Sequence, residues 1–77
     1  MTTGELIKER RTELGLSQRE LGERLGVTGS MIGQYENGTR TPKFQTLCKI
    51  AAALETQVAN LYGKDVSFED GLKILDK

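Results

Sequence analysis

Apolar side chains recur every three or four residues along most of the chain, a spacing that is typical of amphipathic helices. Five such segments can be distinguished, separated by short polar breaks. Their inward positions are Ile7 and Leu14, Leu21 and Leu25, Ile32 and Tyr35, then Phe44, Leu47, Cys48, Ala51 and Leu54, and finally Val58 with Leu61. No hairpin signal or repeat interrupts the sequence pattern, which therefore predicts an all-α fold, a compact bundle of five helices.

Residues with known capping preferences mark where these helices begin and end. The predicted starts are the capping boxes Thr2-x-x-Glu5 and Ser17-x-x-Glu20, the cap Thr28, and the pair Thr41-Pro42 as cap and first helical residue. Glycines at 15, 26, 38 and 63 follow the periodic segments, as expected of helix ends. The fifth segment covers about 57–62 and is the shortest.

The second and third segments are joined by only three residues, Gly26 to Thr28. Two helices with so short a joint, and glycine in it, are typical of a helix-turn-helix unit, whose axes cross at about 90–120°. Gly22 lies inside the second helix, where glycine costs roughly 1 kcal/mol relative to alanine. A glycine there indicates the close approach of another backbone.

The last fourteen residues are ambiguous, and we treat residues 1–63 as the domain and 64–77 as a C-terminal extension. Ser67-x-x-Asp70 can cap a sixth helix that places Phe68, Leu72 and Leu75 on one face. Val66 and Phe68 also alternate, which is compatible with a short strand. The helical interpretation is slightly favoured, although Gly71 weakens it.

Composition excludes most catalytic chemistry. The chain has no histidine, a single cysteine and no clustered carboxylates, so acid–base, nucleophilic and metal catalysis all lack their usual groups. We therefore expect no enzyme activity, no cofactor and no metal site. Cys48 lies on an apolar helix face and is expected to be a core thiol. The sequence shows neither a membrane span nor a signal peptide, and we expect a cytoplasmic protein.

The net charge is zero, but the charges are unevenly distributed along the chain. Residues 1–50 contain eight Lys and Arg against six Asp and Glu, whereas residues 51–77 contain three against five. A weakly basic N-terminal part and an acidic C-terminal part are enough to orient a domain on a polyanion, although not to bind it tightly.

Residues 5–62, about three quarters of the chain, resemble the DNA-binding domain of lambda-repressor-like and Cro-like phage regulators and of the bacterial xenobiotic-response-element (XRE) family. The matching motifs are Arg11…Leu14-Gly15-Leu16-Ser17-Gln18, Leu21-x-x-x-Leu25-Gly26-Val27, Ile32-x-x-Tyr35-Glu36-Asn37-Gly38, and Pro42 with Leu47-x-x-Ile50-Ala51-x-x-Leu54. Gln57 departs from the pattern because it stands where a serine usually caps the fifth helix, with Thr56 as the alternative cap.

The resemblance implies that the third segment is a recognition helix that lies in the major groove of DNA. The residue pattern agrees, since Ile32, Tyr35 and Glu36 are placed inward. The outer positions near the helix start, and hence the expected base contacts, are Gly29, Ser30, Gly33 and Gln34. Gln34 can form hydrogen bonds with the edge of adenine. Because two of the four outer residues are glycines, few side chains can contact bases, and the sequence specificity would depend partly on DNA shape.

Phosphate contacts are expected on both sides of this helix. The candidates are Gln18, Arg19, Thr28, Asn37, Arg40, Thr41 and Lys43. Gln18 lies in the first turn of the second helix, where backbone N–H groups and the helix dipole favour an anion. The family resemblance assigns the matching glutamine a phosphate contact and often a bond to the recognition helix.

Arg11 and Glu36 both fall on inward faces, and neither charge can be buried alone cheaply. We predict that they form a structural ion pair that ties the first helix to the end of the third. The family pattern contains an Arg–Glu pair at these positions.

The function expected from these features is sequence-specific binding of double-stranded DNA by a transcriptional regulator, a repressor of phage or bacterial type, that occupies an operator as a homodimer. The expected dimer surface comprises Leu61, Tyr62, Phe68, Leu72 and Leu75. Phe68 and Leu72 are equally compatible with packing onto their own core. The alternative is an antitoxin of the same fold that binds a partner toxin as well as DNA, with the acidic tail as the partner-binding segment.

Overall fold

The fold is all-helical in residues 1–65, the part of the chain that the computed structural model describes. The four α-helices are α1 (Thr3–Glu13), α2 (Gln18–Leu25), α3 (Gly29–Asn37) and α4 (Phe44–Ala53). A single 3-10 turn, Val58–Leu61, follows α4. The described residues contain no strand, so the all-α prediction is confirmed for them. No helix in this range is long and apolar enough to cross a bilayer. The predicted tail helix, with Phe68, Leu72 and Leu75, lies outside the described residues.

The prediction of a fifth α-helix is wrong, because the segment forms only the four-residue 3-10 turn. Gln57 occupies the N-cap position and makes no side-chain hydrogen bond to the turn. Thr56 does not serve as the cap either, since its Oγ1 accepts a bond from the Asn60 side chain at 3.0 Å. An uncapped segment this short lacks the hydrogen bonds that sustain an α-helix.

The starts of the first two helices follow the sequence closely. Glu5 N donates to Thr2 Oγ1 at 3.1 Å, and Thr2 N donates back to Glu5 Oε1 at 2.9 Å. The Ser17 and Glu20 pair repeats the arrangement at 3.0 and 2.9 Å. The bond from the N-cap backbone N–H is the main reason why the pKa of each glutamate lies below its ordinary value. Both predicted capping boxes are therefore present.

The predicted start of α4 is wrong by two residues. Thr41 and Pro42 precede the helix, and Lys43 occupies the N-cap position with extended dihedral angles and no side-chain cap. Pro42 is buried, so its ring is used to anchor the loop between α3 and α4 rather than to begin the helix. A proline also disfavours helical dihedrals at the residue before it, which keeps Thr41 outside the helix.

One hydrophobic core joins all five elements. The helices α1, α2 and α3 each contribute one buried apolar side chain, namely Ile7, Leu21 and Ile32. The others are Leu47, Ile50 and Ala51 of α4, Leu54 directly after α4, and Leu61 of the 3-10 turn. Leu14, Leu25, Tyr35 and Val58, which the periodicity also placed inward, are partly buried and pack against this cluster. The core holds the outer side of α3 at the surface because Ile32 fixes the rotation of that helix.

Two glycines allow the helices around α3 to approach closely. A Cβ atom at Gly22 would lie 2.6 Å from Val27 O, so α2 packs directly against the joint that follows it. A Cβ at Gly4 would clash with the carbonyl oxygens of Tyr35 and Glu36, where α1 meets the last turn of α3. The close approach that was predicted at Gly22 is thus present.

The last described residues are bonded to the start of α1. Gly63 N donates to Thr3 Oγ1 at 2.8 Å, and Lys64 N donates to Met1 O at 3.0 Å. Asp65 Oδ1 accepts from Thr3 N at 2.9 Å, which gives α1 a second capping carboxylate. Residues 63–65 therefore form a latch between the end of the bundle and its first helix.

Candidate nucleic-acid interface

The joint between α2 and α3 sets the position of the second helix. Gly26 ends α2 in the left-handed region, with φ +75°, and Val27 N bonds back to Gly22 O at 2.9 Å. Thr28 then begins α3 as predicted, since its Oγ1 accepts from Met31 N at 3.1 Å. A turn this short fixes α3 against α2 as one rigid unit, the geometry of a helix-turn-helix.

The α3 helix has distinct inner and outer sides. Ile32 is completely buried, and Glu36 is 8% exposed. Ser30 is exposed and Gln34 is half-buried, so both polar side chains remain accessible on the side away from the core. Tyr35, which was expected to point inward, is half-buried and packs against the core. The side chains of Ser30 and Gln34 can therefore reach a ligand that lies along the outer side of the helix.

The structure divides the four residues expected to contact bases into two pairs. Ser30 and Gln34 lie on the outer side, whereas Gly29 and Gly33 face α2. A Cβ at Gly29 would lie 3.0 Å from the backbone N and Cα of Arg19. A Cβ at Gly33 would lie 3.5 Å from the Gln18 amide. The two glycines therefore allow the first turn of α2 to pack on α3, a role that helical periodicity alone does not reveal.

The predicted ion pair between Arg11 and Glu36 is present and forms part of a three-residue network. Arg11 Nε lies 2.6 Å from Glu36 Oε2, and Arg11 Nη2 lies 3.1 Å from Oε1. Gln18 Nε2 donates to the same Oε1 at 3.1 Å, while Arg11 Nη1 donates to Leu16 O at 2.6 Å. The buried carboxylate thus links α1, α2 and the last turn of α3, and it leaves neither charge unpaired.

The residues expected to contact phosphates on the α2 side are all exposed. Arg19 lies 4.0 Å from Glu23 Oε2 in a loose surface pair, with 86% of its side chain exposed. Thr28 and Gln18 are exposed beside it. The N-terminal turn of an α-helix has backbone N–H groups without intrahelical acceptors, so the first turn of α2 can donate to an anion.

A second group of exposed polar residues follows α3. Asn37 Oδ1 accepts from Thr39 N at 2.8 Å, which closes the turn after the helix. Arg40 N bonds back to Gln34 O at 3.1 Å. No carboxylate among residues 1–65 pairs with Arg40 or Lys43. Arg40 therefore lies beside Gln34 of α3. Thr41 and Lys43 follow it as exposed residues, so the two cations have their charges available.

One residue of the expected dimer surface lies elsewhere. Leu61 is 1% exposed and belongs to the core, so it has no surface to offer a second subunit and that assignment is wrong. The helical periodicity could not separate core from interface, because both require an apolar side chain. Tyr62 is half-buried against the same core. The remaining three members lie outside the described residues.

Sequence reasoning missed several arginine contacts that support this arrangement. Arg10 donates to Leu54 O at 2.9 Å and to Glu55 O at 3.2 Å, and Arg24 donates to Ala53 O at 2.9 Å. These bonds satisfy carbonyl groups at the end of α4. Basic residues in the last turns of α1 and α2 were visible in the sequence, but their carbonyl acceptors come from a distant segment.

A cleft beside the network was also missed. It has a volume of about 340 Å³ and is lined by Lys8, Gln18, Gly33, Glu36 and Asn37. Lys8 is exposed and forms no ion pair within residues 1–65, so a cation of α1 lies at the edge of the surface formed by α2 and α3. The spacing along α1 does not distinguish this lysine from any other solvated position.

Comparison with known proteins places this geometry in a family. A family model described as helix-turn-helix (HTH_3) matches residues 7–61. The transcriptional regulator ImmR of Bacillus subtilis is 32% identical over 78 residues, which cover the whole chain and 61% of ImmR. The chain therefore spans less than two thirds of that relative's length.

Two solved structures of DNA-bound regulators have the same fold. The P22 c2 repressor in complex with a synthetic operator is similar with a TM-score of 0.76 and 31% identity, over 84% of this chain and 98% of that one. The biofilm regulator SinR in complex with DNA is similar with a TM-score of 0.72 and 38% identity, over 78% and 97%. The antitoxin alternative is not supported over the regulator interpretation. The chain belongs to the helix-turn-helix family of XRE-type transcriptional regulators.

Proposed function

We propose that this chain binds double-stranded DNA sequence-specifically, with α3 in the major groove, and represses transcription by occupying an operator. The observation that carries the proposal is the two-sided α3. Ser30 and Gln34 are accessible on its outer side, while Ile32 and Glu36 fix its inner side to the bundle. Gln34 can bond the N6 and N7 edge of adenine, and Ser30 can donate to or accept from several bases.

Charge around α3 supports the same proposal. Arg40 and Lys43 lie after the helix without carboxylate partners among residues 1–65. Arg19 lies on the α2 side, and its carboxylate partner Glu23 is 4.0 Å away. Cations on both sides of a reading helix would contact the two phosphate backbones that border a groove. The first turn of α2 and the start of α4 would add backbone N–H donors.

The function also requires two copies of the chain. One domain with two accessible polar side chains on its reading helix offers few base contacts, and a symmetric dimer doubles them. Two half-sites one helical turn apart, about 34 Å, are the expected arrangement. Of the expected dimer residues, Tyr62 lies next to the latch and leads into 66–77, so the proposed contact is formed by Tyr62 together with Phe68, Leu72 and Leu75.

Titration of labelled duplexes at several salt concentrations tests the proposal. Several neutralised phosphates per site should make the logarithm of the affinity fall linearly with the logarithm of the salt concentration. Lys43→Ala should weaken all duplexes alike and flatten that slope by about one, because it removes a phosphate contact. An affinity without salt dependence, or a Lys43→Ala loss confined to some sequences, would contradict the assignment.

A further inference from the structure

The side chain of Gln18, which belongs to α2, lies across the surface of α3. A Cβ at Gly33 would be 3.5 Å from both Nε2 and Oε1 of Gln18, so the amide lies flat over the position where α3 has no side chain. Gln18 is nevertheless exposed. Gln18 of α2 thus adds a polar group to the surface of α3. This group lies between the outer side of α3 and the cleft at the end of that helix.

The orientation of this amide is fixed by its partner. Glu36 is a carboxylate and can only accept, so the Gln18 group that faces it at 3.1 Å must be the amino group. Arg11 holds the same carboxylate with two nitrogen atoms, which prevents Glu36 from turning away. A flipped amide would place two acceptor oxygens against each other. No donor among residues 1–65 pairs with Gln18 Oε1, which leaves that oxygen available to a ligand.

We propose that Gln18 Oε1 is a base-reading acceptor, which takes a hydrogen bond from the exocyclic amino group of adenine or cytosine in the major groove. Those two bases carry the amino donors there, adenine at N6 and cytosine at N4. Glu36 and Arg11 act as positioning residues, because they decide which end of the amide is presented. This inference rests on the proposed function and adds a specificity determinant to it.

The inference restricts the phosphate contact expected of the Gln18 side chain to its amino group. Phosphate oxygens are acceptors, so the free carbonyl oxygen of the amide cannot bond them. The backbone N–H groups in the first turn of α2 remain suitable phosphate donors. Only one N–H of Gln18 Nε2 faces Glu36, and the second can also donate to a phosphate. Gln18 would therefore contact the DNA backbone through its main chain and amino group, and a base through Oε1.

Selection from a random duplex pool with the wild-type chain and with Gln18→Ala tests the inference. The variant should lose about tenfold discrimination at one base pair per half-site, at a position where the wild type selects adenine or cytosine. Arg19→Ala, one residue further on and 86% exposed, is the matched control and should weaken all duplexes alike. An unchanged consensus for Gln18→Ala, with equal weakening of every duplex, would overturn the inference.

A second arm uses the wild-type chain and does not depend on how a variant folds. The selected base is replaced by an analogue without the amino group, such as purine for adenine. The wild type should then bind about tenfold more weakly, whereas Gln18→Ala should lose nothing further. Undiminished wild-type binding to the analogue would refute the acceptor role. If the wild type selected no consensus at all, the proposed function itself would fail.

Discussion

At the scale of single residues, one buried carboxylate organises the site. Glu36 accepts from Arg11 and from Gln18, and these three residues belong to three different helices. Its burial makes each of these bonds necessary, because an unpaired charge at such a position is costly. The same network therefore holds the bundle together and orients a side chain on the proposed reading surface.

Arg11→Ala should reduce the free energy of unfolding by about 3–5 kcal/mol, because it leaves the Glu36 carboxylate buried without its cation. Arg19→Ala should change it by less than about 1 kcal/mol, since the Arg19–Glu23 pair is exposed and 4.0 Å long. Urea denaturation of the two variants measures the difference. Equal losses would show that burial does not control the energetics of these pairs.

At the scale of elements, glycines decide how α2 and α3 pack. Gly22 and Gly33 both lie inside helices, yet their surroundings differ. A Cβ at Gly22 would lie 2.6 Å from a backbone oxygen, where the chain has little freedom to shift. A Cβ at Gly33 would lie 3.5 Å from a flexible glutamine side chain, an ordinary contact distance.

Gly22→Ala should destabilise the fold by about 1–3 kcal/mol, the usual cost of overpacking. Gly33→Ala should stabilise it by up to about 1 kcal/mol, because alanine is the better helix former and the space is available. Thermal unfolding of the two variants gives the sign of each change. A stabilised Gly22→Ala would disprove the close approach of α2 to the turn.

The sequence predicted the elements whose signals are local. Fixed spacings in the sequence predicted the capping boxes at Thr2 and Ser17 and the cap at Thr28. The inward helix faces of Arg11 and Glu36 predicted their pairing. The sequence-based predictions were wrong where contacts with distant parts of the chain determine the role of a residue. Pro42 is buried in the loop instead of beginning α4, and Gly29 packs against α2 rather than facing outward. The role of Leu61 could not be separated into core or interface from its hydrophobicity alone.

At the scale of the whole molecule, the latch determines where a shortened chain should end. Gly63, Lys64 and Asp65 all bond to the start of α1, whose Gly4 packs against the last turn of α3. The beginning and the end of the described chain are thus joined next to the recognition helix. A chain cut at residue 63 would remove a cap of α1 together with the tail.

A chain that ends at Asp65 should remain folded but bind its operator as separate monomers, with affinity reduced accordingly. The reason is that 66–77 carries three of the proposed dimer residues, whereas the latch remains intact. Sedimentation equilibrium and DNA titration measure the two effects. A shortened chain that is still dimeric would assign the interface to the bundle.

The central claim is that the outer side of α3 reads DNA, and selection from a random duplex pool with Gln34→Ala tests it most directly. The account predicts that the wild type selects a defined half-site and that the variant loses preference at one base pair in it, with a cost of roughly 1–3 kcal/mol. If the variant selects the same consensus as the wild type with unchanged discrimination at every position, α3 does not read bases through Gln34 and the account is contradicted.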